Sequence, residues 1–568
     1  VWERQSCSEA VVARLAEALR LPQAAARVLA VRGIVDPDAA ERFLAPSLAH
    51  LHDPMRLADM GAAVTRLEAA LARGETIAVH GDYDVDGITS TVMLRRLLEL
   101  LGGNVVHVIP ERLREGYGLQ PAAVERLHAD GVRLLVSVDC GIRSLEAARR
   151  ARQLGVDLVV TDHHEPGDAL PPAVAVVNPR RRDCPYPDKD LSGAGVVFKL
   201  VQALCRRHGR ERWLPAFVKV AALGTLADVV PLVGENRVLA RVGLDELSSG
   251  RHTVGLRALL EASRLSGRPI DSHDVAFVLA PRLNAAGRMS TPDLAARLLL
   301  LVDETMADEA RQLAEALNGE NERRQREEQA IVAEARARIE KDPDVGARDV
   351  LVVAGEGWHR GVIGIVAAKL VETFHRPAIV LSIEGEVAYG SCRSIPAFDM
   401  LGALEQAADL LDRFGGHRQA AGLQLPAARI GELRARLQAH AETVLSPDDL
   451  RPRLWLDAGL RFAEITPPLV EALDRLAPFG VGNPRPVFDA RGVEIVAGPS
   501  RLKERHLAMT VRQDGRLFRA IAWRAADRIG LLDAHRAGLD LAYSVDRNTW
   551  RGESTLELQV ADIRPPGG

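Results

Sequence analysis

From Thr76 the chain alternates short apolar runs with amphipathic stretches. The order is "TIAVH", a helical pattern over 89–101, "NVVHVIP", a second over 122–129, "RLLVSVD", a third over 145–154, then "DLVVTD" and "AVAVVNP". Runs of about five apolar residues leave no polar face for solvent, so such strands need cover on both sides of their sheet. Strands separated by a helix-length crossover pair in parallel. The pattern therefore predicts an α/β fold with a mostly parallel, doubly wound sheet. In that architecture ligands gather at the carboxyl ends of the strands, and the acidic and histidine residues of this segment fall there.

The first strand runs into "HGDYDVDG", with His80, Asp82, Asp84 and Asp86; the third ends in "VDCG", with Asp139; the fourth ends in "TDHH", with Asp162, His163 and His164. A helical region adds Asp228 in "TLADVV". A single aspartate after a strand is ordinarily a helix N-cap. That explanation covers one carboxylate per helix and leaves its neighbours repelling one another without compensation. Two divalent cations would supply the missing positive charge. Mixed aspartate and histidine donors suit Mn²⁺, with Mg²⁺ the alternative, and nothing here offers the thiolates of a structural zinc site. Cys7, Cys140, Cys184, Cys205 and Cys392 are scattered and lack CxxC spacing, which argues for a reduced, cytoplasmic setting.

With 568 residues the chain is long enough for several cores. Residues 1–73 read as a helical lead-in, 74–302 as the first α/β domain, 303–341 as a long connecting helix, and 342–446 as a second α/β domain. In 447–568 five alternating strands, from "VEIVAG" to "STLELQVADI", predict a small OB-like β-barrel. The net charge of −4 advertises no polyanionic partner and excludes none. The N-terminus has no basic stretch followed by an apolar region, and no run nears the ~20 apolar residues of a membrane span, so neither export nor membrane insertion is expected. The absent initiator methionine fits processing or trimming. No GxxxxGK[ST] loop is present, so nucleotide-driven motor chemistry finds no support.

The second α/β region carries glycine turns with polar neighbours: "GWHRGVIG" with His359 and Arg360, "GSCRS" with Ser391 and Arg393, and "FGGHRQAAG" with His417 and Arg418. Free N–H groups at such turns cradle phosphate, and arginine adds a bidentate partner; alone, each is equally a plain turn. "PERLREGYGL" places Arg112, Arg114 and Tyr117 in a basic loop whose aromatic either stacks a base or packs locally. In "LNGENERR", Asn318, Asn321 and Arg324 read as a mostly solvated helix face. In the barrel, Phe488, Phe518, Trp523, Tyr543 and Trp550 stand beside Arg501, Lys503 and Arg505, and several of the aromatics must be core.

"HGDYDVDG", "DCG", "TDHH", "GAGVVFKL", "APRLNAAGRM", "GWHRGVIGIVAAKL" and "GGHRQAAG" together resemble the DHH phosphoesterase superfamily. Within it they resemble the RecJ family of single-strand-specific 5′→3′ DNA exonucleases, from about Ile77 to the barrel. The resemblance implies that His80, Asp84 and Asp86 are divided between two metal ions, that Asp139 bridges them, and that His163 and Asp228 complete the second site. His164 would face the scissile phosphate or hold a ligand. Asp82 fits no position of the family's H-x-x-x-D-x-D pattern and stays open between direct coordination, orienting His80 and capping a turn. Arg282, Asn284 and Arg288 would line the path of the strand, and Ser391 with Arg393 would capture its 5′-phosphate. It further implies water-driven release of 5′-mononucleotides, a role in DNA repair and recombination, and a single-strand-binding protein or RecQ-type helicase as partners; the oligomeric state stays open, with a monomer the default. Two other readings remain beside it: a DHH phosphodiesterase for short oligonucleotides or cyclic dinucleotides, and an inactive DNA-binding scaffold.

Overall fold

The computed structural model describes residues 1–111, 118–341, 348–550 and 553–565. After a short strand β1 (Trp2–Arg4) and four helices, the expected alternation forms a five-stranded sheet: β2 (Thr76–His80), β3 (Asn104–Val108), β4 (Leu134–Val138), β5 (Asp157–Thr161) and β6 (Ala175–Val177). All neighbours are parallel, in the order β3-β2-β4-β5-β6. Both faces are covered, as the apolar strands demand. On one side Val79, Val136 and Val159 pack with Leu67, Leu97 and Phe198 of the Met60–Arg73, Val85–Leu100 and Gly193–Arg207 helices. On the other, Ala78, Leu135 and Val160 meet Val124 and Ala148 of the two crossover helices.

Helices over 214–300 extend this lobe and lead into a 35-residue helix, Ala307–Lys341, roughly 50 Å long at 1.5 Å per residue. The second lobe is a mixed sheet of β7 (Leu351–Glu356), β8 (Ala378–Glu384), β9 (Val387–Arg393), β10 (Arg413–His417) and β11 (Ala420–Pro426), ordered β10-β11-β9-β8-β7 with only β7 and β8 parallel. The long helix is less solvated than its charge pattern suggests. Asn321, Arg324 and Glu328 are buried; Arg324 donates to Glu328 (2.6 Å) and Asn321 (3.0 Å), and Lys369 of the Ile363–Phe374 helix pairs with Glu328. Asn318 accepts from Arg282 at 3.1 Å. The expected solvated face holds for Glu322 and Arg323, which are exposed, and fails at Asn321 and Arg324, which lie where both lobes pack on the helix, so that the buried charge finds its partner locally.

Beyond two short strands, β12 (Leu454–Leu456) and β13 (Ala458–Gly459), the predicted barrel forms from β14 (Phe488–Leu502), β15 (His506–Gln513), β16 (Arg516–Ala522), β17 (Leu539–Trp550) and β18 (Glu553–Arg564), closed by the β14–β17 pairing. Phe488 and Tyr543 are core and Phe518 packs against that core, whereas Trp523 is 55% exposed and stacks edge-on with His506 at 4.7 Å. Arg501, Lys503 and Arg505 are exposed at the β14–β15 turn. The chain's first segment completes the barrel's core: Leu15 and Leu29 of the leading helices share one buried cluster with Phe462 and Phe488, and β1 pairs in parallel with β12.

Arg237 pins this unit to the first lobe. It is 1% exposed, stacks its guanidinium on the Phe43 ring at 3.7 Å, and donates to the carbonyls of Phe43 (2.7 Å), Ala477 (2.9 Å) and Arg475 (3.2 Å). Among the described residues no carboxylate pairs with it, and burial, with Arg241 and Arg32 nearby, pushes its pKa down to about 9. Arg237→Ala should therefore lower stability by about 2–4 kcal/mol, because several buried carbonyls lose their donor at once. Arg237→Lys should not restore it, since one ammonium cannot span a fork of carbonyls; the midpoint of the first transition in urea unfolding measures both.

Candidate metal centre and strand-binding cleft

Asp82, Asp84, Asp86, Asp139, His163 and Asp228 converge at the carboxyl edge of the parallel sheet. Ligand-type atoms lie within 4.8 Å of one another in three groups: Asp82, Asp84 and Asp139; Asp86, His163 and Asp228; and Asp139, His163 and His164. Asp139, just beyond the end of β4, holds a left-handed backbone (φ 58°), uncommon for a residue other than glycine. Nε2 of His163 is 3.2 Å from Asp139, 3.8 Å from Asp228 and 3.9 Å from Asp86. Even so, Oδ1 of Asp139 and Oδ2 of Asp228 are buried without a hydrogen-bond partner.

The charge balance explains why the carboxylates strain for a cation. Among the described residues no lysine or arginine pairs with Asp84, Asp86, Asp139 or Asp228. Burial first, and neighbouring carboxylates second, push Asp86 and Asp139 well above the ordinary carboxylate range; burial also raises Asp228, against the pull of His163. A contrasting group, Asp271, His273 and Asp274, is a compensated helix cap in which Asp271 accepts from the Asp274 N–H and Arg268 pairs with Asp274 at 2.5 Å. Buried oxygens without partners, mixed aspartate and imidazole donors and missing counter-charge fit divalent cations.

Each donor is held by local structure. Asp84 caps the Val85–Leu100 helix by accepting from Gly87 N–H at 3.0 Å. Asp86 accepts from the N–H groups of Gly193 (2.7 Å) and Ala194 (2.8 Å), the open end of the Gly193–Arg207 helix. Asp82 accepts from the Tyr83 N–H at 2.8 Å and stands in the group with Asp84 and Asp139. His80 belongs to none of the three groups; it is buried at the end of β2 with Nδ1 3.9 Å from the Cys140 sulfur. Asp162 belongs to none of these groups and accepts from Ile142 N–H (2.9 Å), His163 N–H (2.7 Å) and His164 Nδ1 (2.7 Å). Burial would lower the His164 pKa, but the bond and charge of Asp162 outweigh it and raise it to about 9.

Glycines of this lobe carry a role that sequence reasoning did not single out. A Cβ on Gly193 would sit 2.4 Å from Asp139 Oδ1, and one on Gly224 would sit 2.6 Å from Asp86 Oδ1. The small-residue run "SGAG" and the glycine in "ALGTLAD" were the available signals.

A cavity of about 590 Å³ opens between the lobes. Tyr83, between Asp82 and Asp84, lines it from the first lobe; Arg360, Ser391 and Arg393 line it from the second, as do Arg413 and Phe414, which the motif reading passed over. Arg360 stacks on Tyr389 at 3.5 Å. Arg393 donates to the Cys392 carbonyl (2.8 Å) and approaches Ser391 Oγ (3.4 Å), and both side chains adjoin Gly364 in the first turn of the Ile363–Phe374 helix. His417 is exposed at the tip of the β10–β11 hairpin and does not line the cavity; Gly415 and Gly416, nearer the sheet, do. His359 stays local, accepting from Gly361 N–H at 3.1 Å. Arg282 donates to Val278 O (2.7 Å), Asn284 accepts from Val85 N–H (3.2 Å), and Arg288 crosses to the second lobe to donate to Gly361 O (3.1 Å). Arg112 and Tyr117 lie outside the described residues.

The sheet with its carboxylate cluster defines the class. The family model for the N-terminal domain of the DHH family matches residues 76–225, that for the DHHA1 domain residues 348–443, and that for the RecJ OB domain residues 456–562. The single-stranded-DNA-specific exonuclease RecJ of Bacillus subtilis is 35% identical over 99% of this chain and 70% of its own length. RecJ of Thermus thermophilus in complex with Mn²⁺ superposes with a TM-score of 0.85 and 35% identity, covering all of this chain and 80% of that one; its complex with Mg²⁺ gives 0.79 and 32%, with 100% and 79% covered. The chain belongs to the RecJ family of DHH proteins.

Gly193→Ala should move Asp139 without removing any donor. Its expected effect is a 10–100-fold loss of Mn²⁺ affinity, on the scale of groups that orient metal ligands, read by isothermal titration of the EDTA-stripped protein.

Proposed function

We propose that this protein is a single-strand-specific DNA exonuclease that removes 5′-mononucleotides in the 5′→3′ direction, in DNA repair and recombination. The observation that carries the reading is the cavity joining Tyr83, within the aspartate cluster's own loop, to Ser391, Arg393 and Arg413 of the second lobe. A terminal phosphate held at the first turn of the Ile363–Phe374 helix by Ser391 and Arg393 would leave the next phosphodiester to reach toward the carboxylates. A site that grips an end and cuts beside it is an exonuclease by geometry.

The relatives bound to Mn²⁺ and Mg²⁺ support divalent cations here. In our reading two are held, Mn²⁺ in preference to Mg²⁺, one by Asp82, Asp84 and Asp139 and one by Asp86, His163 and Asp228, with Asp139 shared. Bound there, they would supply the charge that makes water nucleophilic and steadies the attacking and leaving oxygens at phosphorus. The chain's own residues do the rest. Asp162 fixes the proton on His164 Nδ1 and turns the ring toward the substrate side. His163 stays between three carboxylates, and Asn284, by bonding Val85 N–H, holds the start of the helix that carries Asp86. Arg288 keeps the lobes at the spacing that fits one strand. The five cysteines are unpaired, in keeping with a reducing cytoplasm. The enzyme works as a monomer on strands freed by a helicase or coated by a single-strand-binding protein.

A long single strand with a 5′-phosphate and a 3′ fluorophore, incubated with Mn²⁺, should shorten from its 5′ end, and Asp139→Ala or EDTA should abolish the ladder. Ser391→Ala combined with Arg393→Ala should cost about 10–100-fold in rate on the 5′-phosphorylated strand and at most about twofold on a 5′-hydroxyl strand, as removal of two phosphate contacts would. Equal losses on both strands would refute the assignment of the end-binding site, and an intact long strand with only dinucleotides cut would refute the exonuclease.

A further inference from the structure

A second cavity, of about 560 Å³, lies at the far ends of two helices that present site carboxylates. The Val85–Leu100 helix starts beside Asp84 and carries Asp86 in its first turn, yet lines this cavity with Val92, Met93 and Leu100; the Leu214–Ala227 helix leads into Asp228 and lines it with Phe217. Along the first helix the offset from Asp86 is roughly 10–20 Å at 1.5 Å per residue, so the cavity is separate from the metal cluster and from the cleft between the lobes. Its volume suits a small organic molecule, for which pockets of about 300–1,000 Å³ are usual.

Its chemistry is one-sided. The walls are mostly aliphatic and aromatic, with Trp213 beside Phe217, while the titratable side chains lining it among the described residues are Arg96, Lys219, Arg251 and His252, with no aspartate or glutamate; Glu246 acts on Lys219 from outside the lining. Lys219 is only 7% exposed, and its hydrogen bond among the described residues goes to the Arg251 carbonyl at 2.6 Å, although an ammonium offers three donors. Nδ1 of His252 is buried with no partner. Arg96 is shared with Glu99 at 3.6 Å and contributes less. A desolvated ammonium that Glu246 compensates only in part, and a buried imidazole nitrogen without a partner, are costly in an apolar chamber unless a further anion answers them.

We infer that this cavity binds a small organic anion, its ring-sized apolar body against Trp213 and Phe217 and its acid group at Lys219, Arg251 and His252. The test uses 8-anilinonaphthalene-1-sulfonate as probe, with the full chain, Mn²⁺ and a saturating oligothymidylate on the Asp139→Ala background, so that the cleft is filled and the oligonucleotide stays whole. One saturable site per chain is expected. Ala216→Trp, which fills the cavity from an exposed wall position, should weaken binding at least about tenfold, and so should Lys219→Met. The neutral analogue N-phenyl-1-naphthylamine should bind at least about tenfold more weakly than the sulfonate. Absence of saturable binding, binding unchanged by Ala216→Trp, or equal affinity for the neutral probe would each overturn the inference. If Lys219→Met does not fold, the Ala216 variant and the neutral probe still decide it.

Discussion

Several carboxylates gathered at the ends of parallel strands, most of them paired with no lysine or arginine among the described residues, are the constraint on which the rest of this structure depends. A parallel sheet brings its strand ends together on one edge, and the helices that follow turn their N–H groups to the same edge. That arrangement can hold Asp86 by two backbone donors but cannot neutralise it. The fold therefore builds a place of excess negative potential and lines it with glycines so that nothing fills the space. Asp162, the remaining acid of the edge, escapes the problem by taking four donors of its own, and in doing so fixes both histidines that follow it.

The first lobe's sheet was legible because apolar strands of five residues, spaced by amphipathic helices, leave little choice of topology. The barrel was legible for a similar reason: five alternating strands with turn residues between them must close or pair. The convergence of Asp84, Asp86, Asp139, His163 and Asp228 could be anticipated from strand-end chemistry joined to the family's motifs. What could not be read was orientation. Asp82 and His80 sit two residues apart, and only the path of the loop sends the first into the group with Asp84 while the second lies against Cys140. The same limit hid Arg413 and Phe414, ordinary in sequence but carried to the cavity by a hairpin, and it favoured His417, which that hairpin carries away. Charge pattern alone also misjudged Arg324, since a helix with charges on every face does not reveal which face two lobes will cover.

Directional polar contacts join the two lobes. Arg288 reaches from the first to the Gly361 carbonyl of the second, and the long helix buries an Asn321–Arg324–Glu328 network that Lys369 completes. Such contacts are directional, so a shift of one lobe breaks them rather than bending them. These bonds tie the spacing of the lobes to hydrogen-bond geometry.

Joining the first 44 residues to the barrel has a further consequence, for the order in which the chain can be made. Leu15 and Leu29 find their core partners in Phe462 and Phe488, more than four hundred residues later. Emerging from the ribosome, this leading segment waits with its apolar faces uncovered while both lobes fold, since domains form largely as units in the order of synthesis. A segment translated late thus shelters one translated early.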